Sequence, residues 1–431
     1  MEILQLAALS ADRLRRMMHR ANARIFAPEV LATAQRAIED VRARGDDALL
    51  AYTAQWDRVL LTRSQLVVAP EEVEAARTAV PGSLQAALVT AIDRARRFNE
   101  RLKPSNWLEA TEEGIAVGTQ FSPLASAGVY VPSGKGRFPS TCITMLTPAV
   151  VAGVDDISVL LPPRADGTVD PGVLLACDLL GVRRIYRCNG VAGIAALTVG
   201  TETIAAVPAI VGPGNPYVVA VQLVAQTWGV RLLALLGPTE AMILADESAD
   251  PRRLALDLVS EAEHGTDSAA ILVTDSEPTA RAVVGEVQDC LERLPDDRAH
   301  YAEAALTEYG GAVCARSIDE AIAFVNAYAP EHLQIATREP RKILPAIRHA
   351  GEILLGQDTP FAAGNYAIGV PAALPTGGSA RSGSGVTVLS FLKASSIAEL
   401  DATGLAKVRP IVEQLGTYEG FPAHVMSVVD R

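Results

Sequence analysis

Only five cysteines occur among the 431 residues: Cys142, Cys177, Cys188, Cys290 and Cys314. Their number is odd and none is spaced as C-x-x-C, which argues against a disulfide framework or a thiolate zinc site and for reduced, mostly buried thiols. Hydrophobic residues make up 49% of the chain, yet no uninterrupted apolar run approaches the roughly 20 residues that span a bilayer. The start, MEILQLAALSADRLRRMMHRAN, lacks a cleavable secretory pattern. The expectation is a cytoplasmic protein with no membrane partner. Lysines and arginines are scattered and the formal charge is −12, so a phosphate backbone finds no basic stripe and nucleic acid is not expected as a partner. The G-x-G-x-x-G dinucleotide fingerprint is also missing.

What is present is alternation. The length suggests two to four units. Residues 1–25 read as a basic amphipathic helical arm. Residues 28–103 carry helical periodicity, clearest in PEVLATAQRAIEDVRARG, where Gly45 follows the last turn as a stop. From about residue 127, β-branched runs (AGVYVP, DDISVLLPP, RRIYRC, AAVPAIVGPG) alternate with helical stretches, and a second alternation runs from AAILVTDS to AGEILLG. Strands alternating with crossover helices predict two Rossmann-like, doubly wound α/β domains, with small helical segments at both ends. The expected boundaries are 127–239 for a dinucleotide-binding domain and 26–126 with 240–386 for a discontinuous domain carrying the chemistry. The Gly-rich stretch PTGGSARSGSGVT then separates the body from a helical tail, 387–431, too short for its own core.

Glycines in GVYVPSGKGR and VGPGNPYVV permit close backbone approach, and Asn215 leads a helix whose N-terminus could face a phosphate. Ordinary strand-to-helix turns explain the same residues. Of six histidines, three stand in chemically suggestive settings: His264 in SEAEHGTD, His332 in APEHLQI and His424 in EGFPAH. Glu261 and His264 are i and i+3, on one face of a helix as paired metal ligands are. Glu331 and His332 offer two adjacent proton-accepting groups just before a strand. A satisfied structural histidine is the plainer reading of any one of them.

Together these segments resemble the histidinol dehydrogenase family. GVYVPSG, GIAALTVGTETI, VGPGN, GPTE, SEAEHGTDS, APEHLQI, AGNYAIG, LPTGGSARSGSG and EGFPAH stand in family order from about residue 25 to the end. The resemblance implies a homodimer using zinc and NAD to oxidise a primary alcohol, by way of an aldehyde, to a carboxylate. It implies Glu331 and His332 as the catalytic proton-transfer pair and Glu261, His264, Asn365 and His424 as metal ligands. It further places Thr239 and Glu419 at substrate, Tyr130 and Asn215 at NAD, and the tail at the partner subunit's active site.

Four positions depart from the family pattern. Glu261 stands where glutamine is usual and Asn365 where aspartate is usual, a reciprocal exchange that keeps one carboxylate, one amide and two imidazoles around a divalent cation. Ala372 replaces a substrate-site histidine and Ala192 a glutamine that contacts NAD. These losses predict a polar primary alcohol other than histidinol as substrate. Histidinol itself is the alternative, and a non-catalytic metal- or ligand-binding relative is a second.

Overall fold

A computed structural model of the chain describes residues 1–20, 24–134 and 136–431. The N-terminal arm is not purely helical, and its residues 21–23 lie outside the described residues. It opens with strand β1 (Ile3–Gln5), followed by helix α1 (Ala11–His19), whose N-cap Ser10 accepts the Arg13 N–H at 3.1 Å. Four helices come next: α2 (Pro28–Arg44), α3 (Asp46–Tyr52), α4 (Pro70–Ala79) and α5 (Gly82–Leu102). Gly45 ends α2 at φ 58°, a left-handed conformation that glycine adopts without strain. A hairpin of β2 (Trp107–Glu112) and β3 (Ile115–Pro123) leads into the first sheet.

That sheet is built from β4 (Ser126–Tyr130), α6 (Pro139–Ala152), β5 (Asp156–Leu161), α7 (Pro171–Leu179), β6 (Arg184–Arg187), α8 (Gly190–Val199), β7 (Ala209–Val211), α9 (Pro216–Ala225) and β8 (Arg231–Leu232). All pairs are parallel in the order β6-β5-β4-β7-β8. The order reverses beside β4, the switch point at which doubly wound sheets open a crevice at their carboxyl ends.

The second sheet repeats the plan with β9 (Glu240–Ala245), α10 (Pro251–Ala262), β10 (Ala269–Thr274), α11 (Glu277–Leu291), α12 (Asp296–Glu308), β11 (Gly311–Cys314), α13 (Ile318–Tyr328), β12 (His332–Ala336), α14 (Pro340–Ile343) and β13 (Glu352–Leu355). Its order is β1-β11-β10-β9-β12-β13, all parallel, so the arm's strand extends the same winding by one position. β9, β10 and β12 are buried at every residue. Helices cover both faces, which is why these strands are buried on both sides and mostly apolar.

Two expectations need correction. Residues 26–126 do not join 240–386 as the sequence leads one to expect: α2 packs on α8 and α9, α4 on α7, and α5 on α6, all in the first α/β unit. The apolar face of α2 (Val30, Ala34, Ala37, Ile38, Val41) joins one core with Leu160, Ile194 and Val218. An amphipathic helix specifies an apolar partner layer, not which one. The tail is not helical throughout either. After the short helix α15 (Phe361–Tyr366), residues 392–400 form β14 (Leu392–Leu400), antiparallel to β3 along its whole length. The unpaired edge of the β2–β3 hairpin supplies a ladder that overrides the local helical pattern. Only then come α16 (Ala402–Tyr418) and α17 (Pro422–Val429).

Candidate active site

Four side chains with chemical potential sit at the amino ends of the second sheet's strands. Glu240 opens β9, His332 opens β12, Glu352 opens β13, and Glu331 precedes β12. Parallel register sets His332 directly beside Glu352 on one side and Ala241 on the other. This is the edge opposite to the one where such sheets usually bind ligands. A cleft of about 720 Å³ does open beyond the carboxyl ends of β9 and β12, lined by Asp246, Thr337 and Arg338, but Glu331 and His332 are not in its wall.

Glu331 and His332 are both buried. Oε2 of Glu331 accepts the backbone N–H of Glu240 at 2.9 Å, and Oε1 lies 3.7 Å from Nε2 of His332. Burial pushes the Glu331 carboxyl up to about 8, against the pull of the neighbouring imidazole. Burial alone would lower the His332 pKa, yet the charge of Glu331 and the hydrogen bond to Glu352 outweigh it and raise the ring to about 10. The two therefore compete for a proton in a water-poor setting, an arrangement capable of proton transfer. Nδ1 of His332 lies 2.7 Å from Oε2 of Glu352, and the Phe361 ring packs against the imidazole at 5.9 Å between centroids with the planes 70° apart.

The end of α10 carries Glu261, with His264 in the turn after it. Their separation of 3.6 Å, Nε2 to Oε2, follows from the i and i+3 spacing. Nδ2 of Asn365, on α15, donates to Oε1 of Glu261 at 2.8 Å. Oε2 of Glu261 is buried without a hydrogen-bond partner. An imidazole from the turn after α10 and an amide from α15 thus flank one buried carboxylate, the amide at Oε1 and the imidazole nearest the unpaired Oε2. Among the described residues no group of three or more His, Cys, Asp or Glu could hold a metal ion, and in this cluster the third side chain is an amide. That donor set suits a divalent cation once the Asn365 amide turns its oxygen inward. The cluster adjoins Glu331 and His332 closely enough for the charge of Glu261 to raise both.

Other expected residues are placed differently. His424 on α17 is exposed with its ring against Phe421, and Glu419 is exposed at the end of α16. Within one chain, no hydrogen bond or ion pair between described residues joins either to Glu261, His264 or Asn365. Thr239 precedes β9, and its carbonyl accepts the Ala269 N–H at 2.9 Å. Tyr130 ends β4, buried beneath α8 so closely that a Cβ on Gly190 would meet its ring at 2.7 Å. Asn215 caps α9, accepting the N–H groups of Tyr217 and Val218 at 3.0 and 3.2 Å. Tyr130 and Asn215 lie at the carboxyl ends of adjacent strands, at the switch point. Ala192 is buried in the core of α8, packed among apolar side chains.

Sequence reasoning missed Glu352, Glu240 and Arg20. Arg20 lies with its guanidinium 3.6 Å from the centroid of the Tyr328 ring and Nε 3.3 Å from Oε1 of Glu240, all three buried. The signal existed for the two glutamates: each is a charge opening an otherwise apolar parallel strand, a placement that is costly unless paired. The Gly-rich stretch is also no free linker. Gly377 donates to Oε1 of Glu240 at 2.7 Å, and Thr376 Oγ1 accepts from Gly237 at 2.7 Å.

Comparison with known proteins agrees with this architecture. The family model of histidinol dehydrogenase matches residues 20–431. Histidinol dehydrogenase of Synechocystis sp. is 41% identical over 431 residues, covering 100% of this chain and 98% of the relative. That of Geobacter sulfurreducens is 42% identical over 91% of each. The crystal structure of histidinol dehydrogenase from Elizabethkingia anophelis has a TM-score of 0.93 at 32% identity, covering 99% of this chain and 97% of the other. The chain belongs to the histidinol dehydrogenase family, NAD-dependent oxidoreductases that act on CH–OH groups.

Proposed function

We propose that the chain oxidises histidinol through an aldehyde to the carboxylate, with NAD as acceptor. The observation that carries this reading is the buried Glu331–His332 pair beside the Glu261–His264–Asn365 cluster, in a chain about 40% identical from end to end to relatives named histidinol dehydrogenase. Those names favour histidinol over the other polar alcohol that the loss of histidine at position 372 suggested. Ala372 itself is half-buried, its N–H donating to Thr144 at 2.9 Å.

In the first half-reaction His332 accepts the hydroxyl proton through Nε2. In the second, Glu331 takes a proton from the water that adds to the aldehyde. Glu261, His264 and Asn365 would hold zinc, joined by His424 of a second copy. A bound cation would supply a charge that orients the substrate and polarises its oxygen, and NAD the hydride acceptor. Tyr130 and Asn215 would meet NAD, and Thr239 and Glu419 the substrate.

A homodimer is part of the proposal. Ile411, Leu415, Tyr418, Phe421 and Met426 are all exposed on the tail, with Trp107 and Leu108 exposed on the hairpin. Exposed apolar side chains on both elements support an interface, which would bring His424 and Glu419 to the partner's cluster.

The test is NADH formation with purified, zinc-loaded protein and histidinol. The reading predicts two NADH per histidinol consumed. Turnover of other polar alcohols but not of histidinol would overturn it.

A further inference from the structure

We infer that Glu352 is a positioning residue for His332, fixing the imidazole in the tautomer that carries its proton on Nδ1 and presents an unprotonated Nε2 to the substrate. For its kinetic consequence the inference rests on the alcohol oxidation proposed above, while its structural content does not.

The placement follows from the sheet. His332 and Glu352 are register partners on adjacent parallel strands, so their side chains leave the same face. Their strands are tied at that point by the Glu352 N–H, which donates to the carbonyl of Glu331 at 2.9 Å. The resulting contact, Nδ1 to Oε2 at 2.7 Å, is short and buried from both sides.

Four features make this more than a buried ion pair. An ionised carboxylate can only accept, so the nitrogen facing it must bear hydrogen. In a neutral ring that leaves the lone pair on Nε2, the atom 3.7 Å from Glu331. Oε1 of Glu352 has no hydrogen-bond partner, so the interaction with His332 is the side chain's one hydrogen bond among the described residues. The surroundings also hold both groups still. Phe361 packs against the ring, and a Cβ on Gly364 would come within 2.6 Å of Oε1 of Glu352, so the glycine next to Asn365 gives the carboxylate its space. Once Nε2 has taken a proton, Glu352 faces the resulting imidazolium from the other side and stabilises it, the role a buried carboxylate has behind a histidine base in other enzymes.

The experiment uses full-length protein in three forms: wild type, Glu352→Ala and the isosteric Glu352→Gln. Ring-15N-labelled histidine spectra at alkaline pH, where the imidazole is neutral, report which nitrogen carries hydrogen; loss of a signal in His332→Gln assigns the residue. Wild type should show the Nδ1–H form, and Glu352→Ala should lose that preference. With histidinol, Glu352→Ala should lose about tenfold or more in kcat with KM changed less than about threefold. Glu352→Gln, which can still accept through its amide oxygen in one orientation, should lie between. A wild-type ring protonated on Nε2, or a Glu352→Ala enzyme with kcat within about twofold of wild type, overturns the inference. If wild type does not oxidise histidinol, the substrate reading fails, and the ring spectra still decide the role of Glu352.

Discussion

The backbone N–H of Glu240 donates to the Glu331 carboxylate at 2.9 Å, while the Glu240 side chain reaches back to Arg20. One residue thus connects Glu331 to the N-terminal arm. Arg20 is held besides by donating to the Tyr328 carbonyl at 2.6 Å, and it adopts φ 56°, a backbone cost that its contacts must offset.

Removing one partner of such a pair leaves an uncompensated buried charge, at about 3–5 kcal/mol. Arg20→Ala should therefore destabilise the protein by that order. Adding Glu240→Gln should recover part of the loss, because the amide can still accept from Gly377 and no charge is stranded. Denaturant unfolding of both single variants and the double variant measures the coupling. Strict additivity would mean that the pair does not act as a unit.

The pH dependence of turnover follows from the same enclosure. A base works only when unprotonated, and His332 is raised to about 10, so kcat/KM should climb as the pH rises from neutrality toward that value. Glu331 contributes the largest upward push. In Glu331→Gln the inflection for alcohol oxidation should move to lower pH, although the apparent values belong to the coupled pair. An inflection that stays where it was would show that Glu331 does not set the basicity of the ring.

Metal removal separates binding from folding. The His264 side chain is about a third exposed and Glu261 is almost fully buried, so His264→Ala takes away a donor without opening the core. Metal analysis should find zinc lost while the thermal midpoint of the metal-free protein barely moves. Stoichiometric zinc in His264→Ala would remove this residue from the ligand set.

Much of this was legible in the chain. Strand runs such as AAILVT alternating with helical stretches forecast a parallel, doubly wound sheet, and β10 is buried throughout. The i and i+3 spacing of Glu261 and His264 pointed to neighbouring side chains, and the two lie 3.6 Å apart although His264 falls just past the end of α10. What stayed hidden was tertiary choice. Nothing local tells Val30 and Ile38 which sheet to cover, nor tells β14 that the edge of β3 awaits it. Glu352 was hidden for the same reason: its meaning lies in register with His332, twenty residues earlier.

The division of labour between Glu331 and His332 gives the most discriminating test. Nδ1 of the imidazole is engaged by Glu352 and Nε2 is the free atom, so the ring suits removal of the hydroxyl proton that precedes the first hydride transfer. Glu331 keeps Oε1 free of short hydrogen bonds and is held by the Glu240 N–H through Oε2, which suits a carboxylate that activates water. His332→Ala should then lose alcohol oxidation. Glu331→Gln should still oxidise alcohol and accumulate or release aldehyde, because only the hydration step lacks its base. Single-turnover experiments started from the alcohol and from the aldehyde, with trapping of released aldehyde, distinguish the two. Loss of both half-reactions to the same extent in both variants would mean that the pair acts as one unit, with its proton shared between the imidazole and the carboxylate throughout.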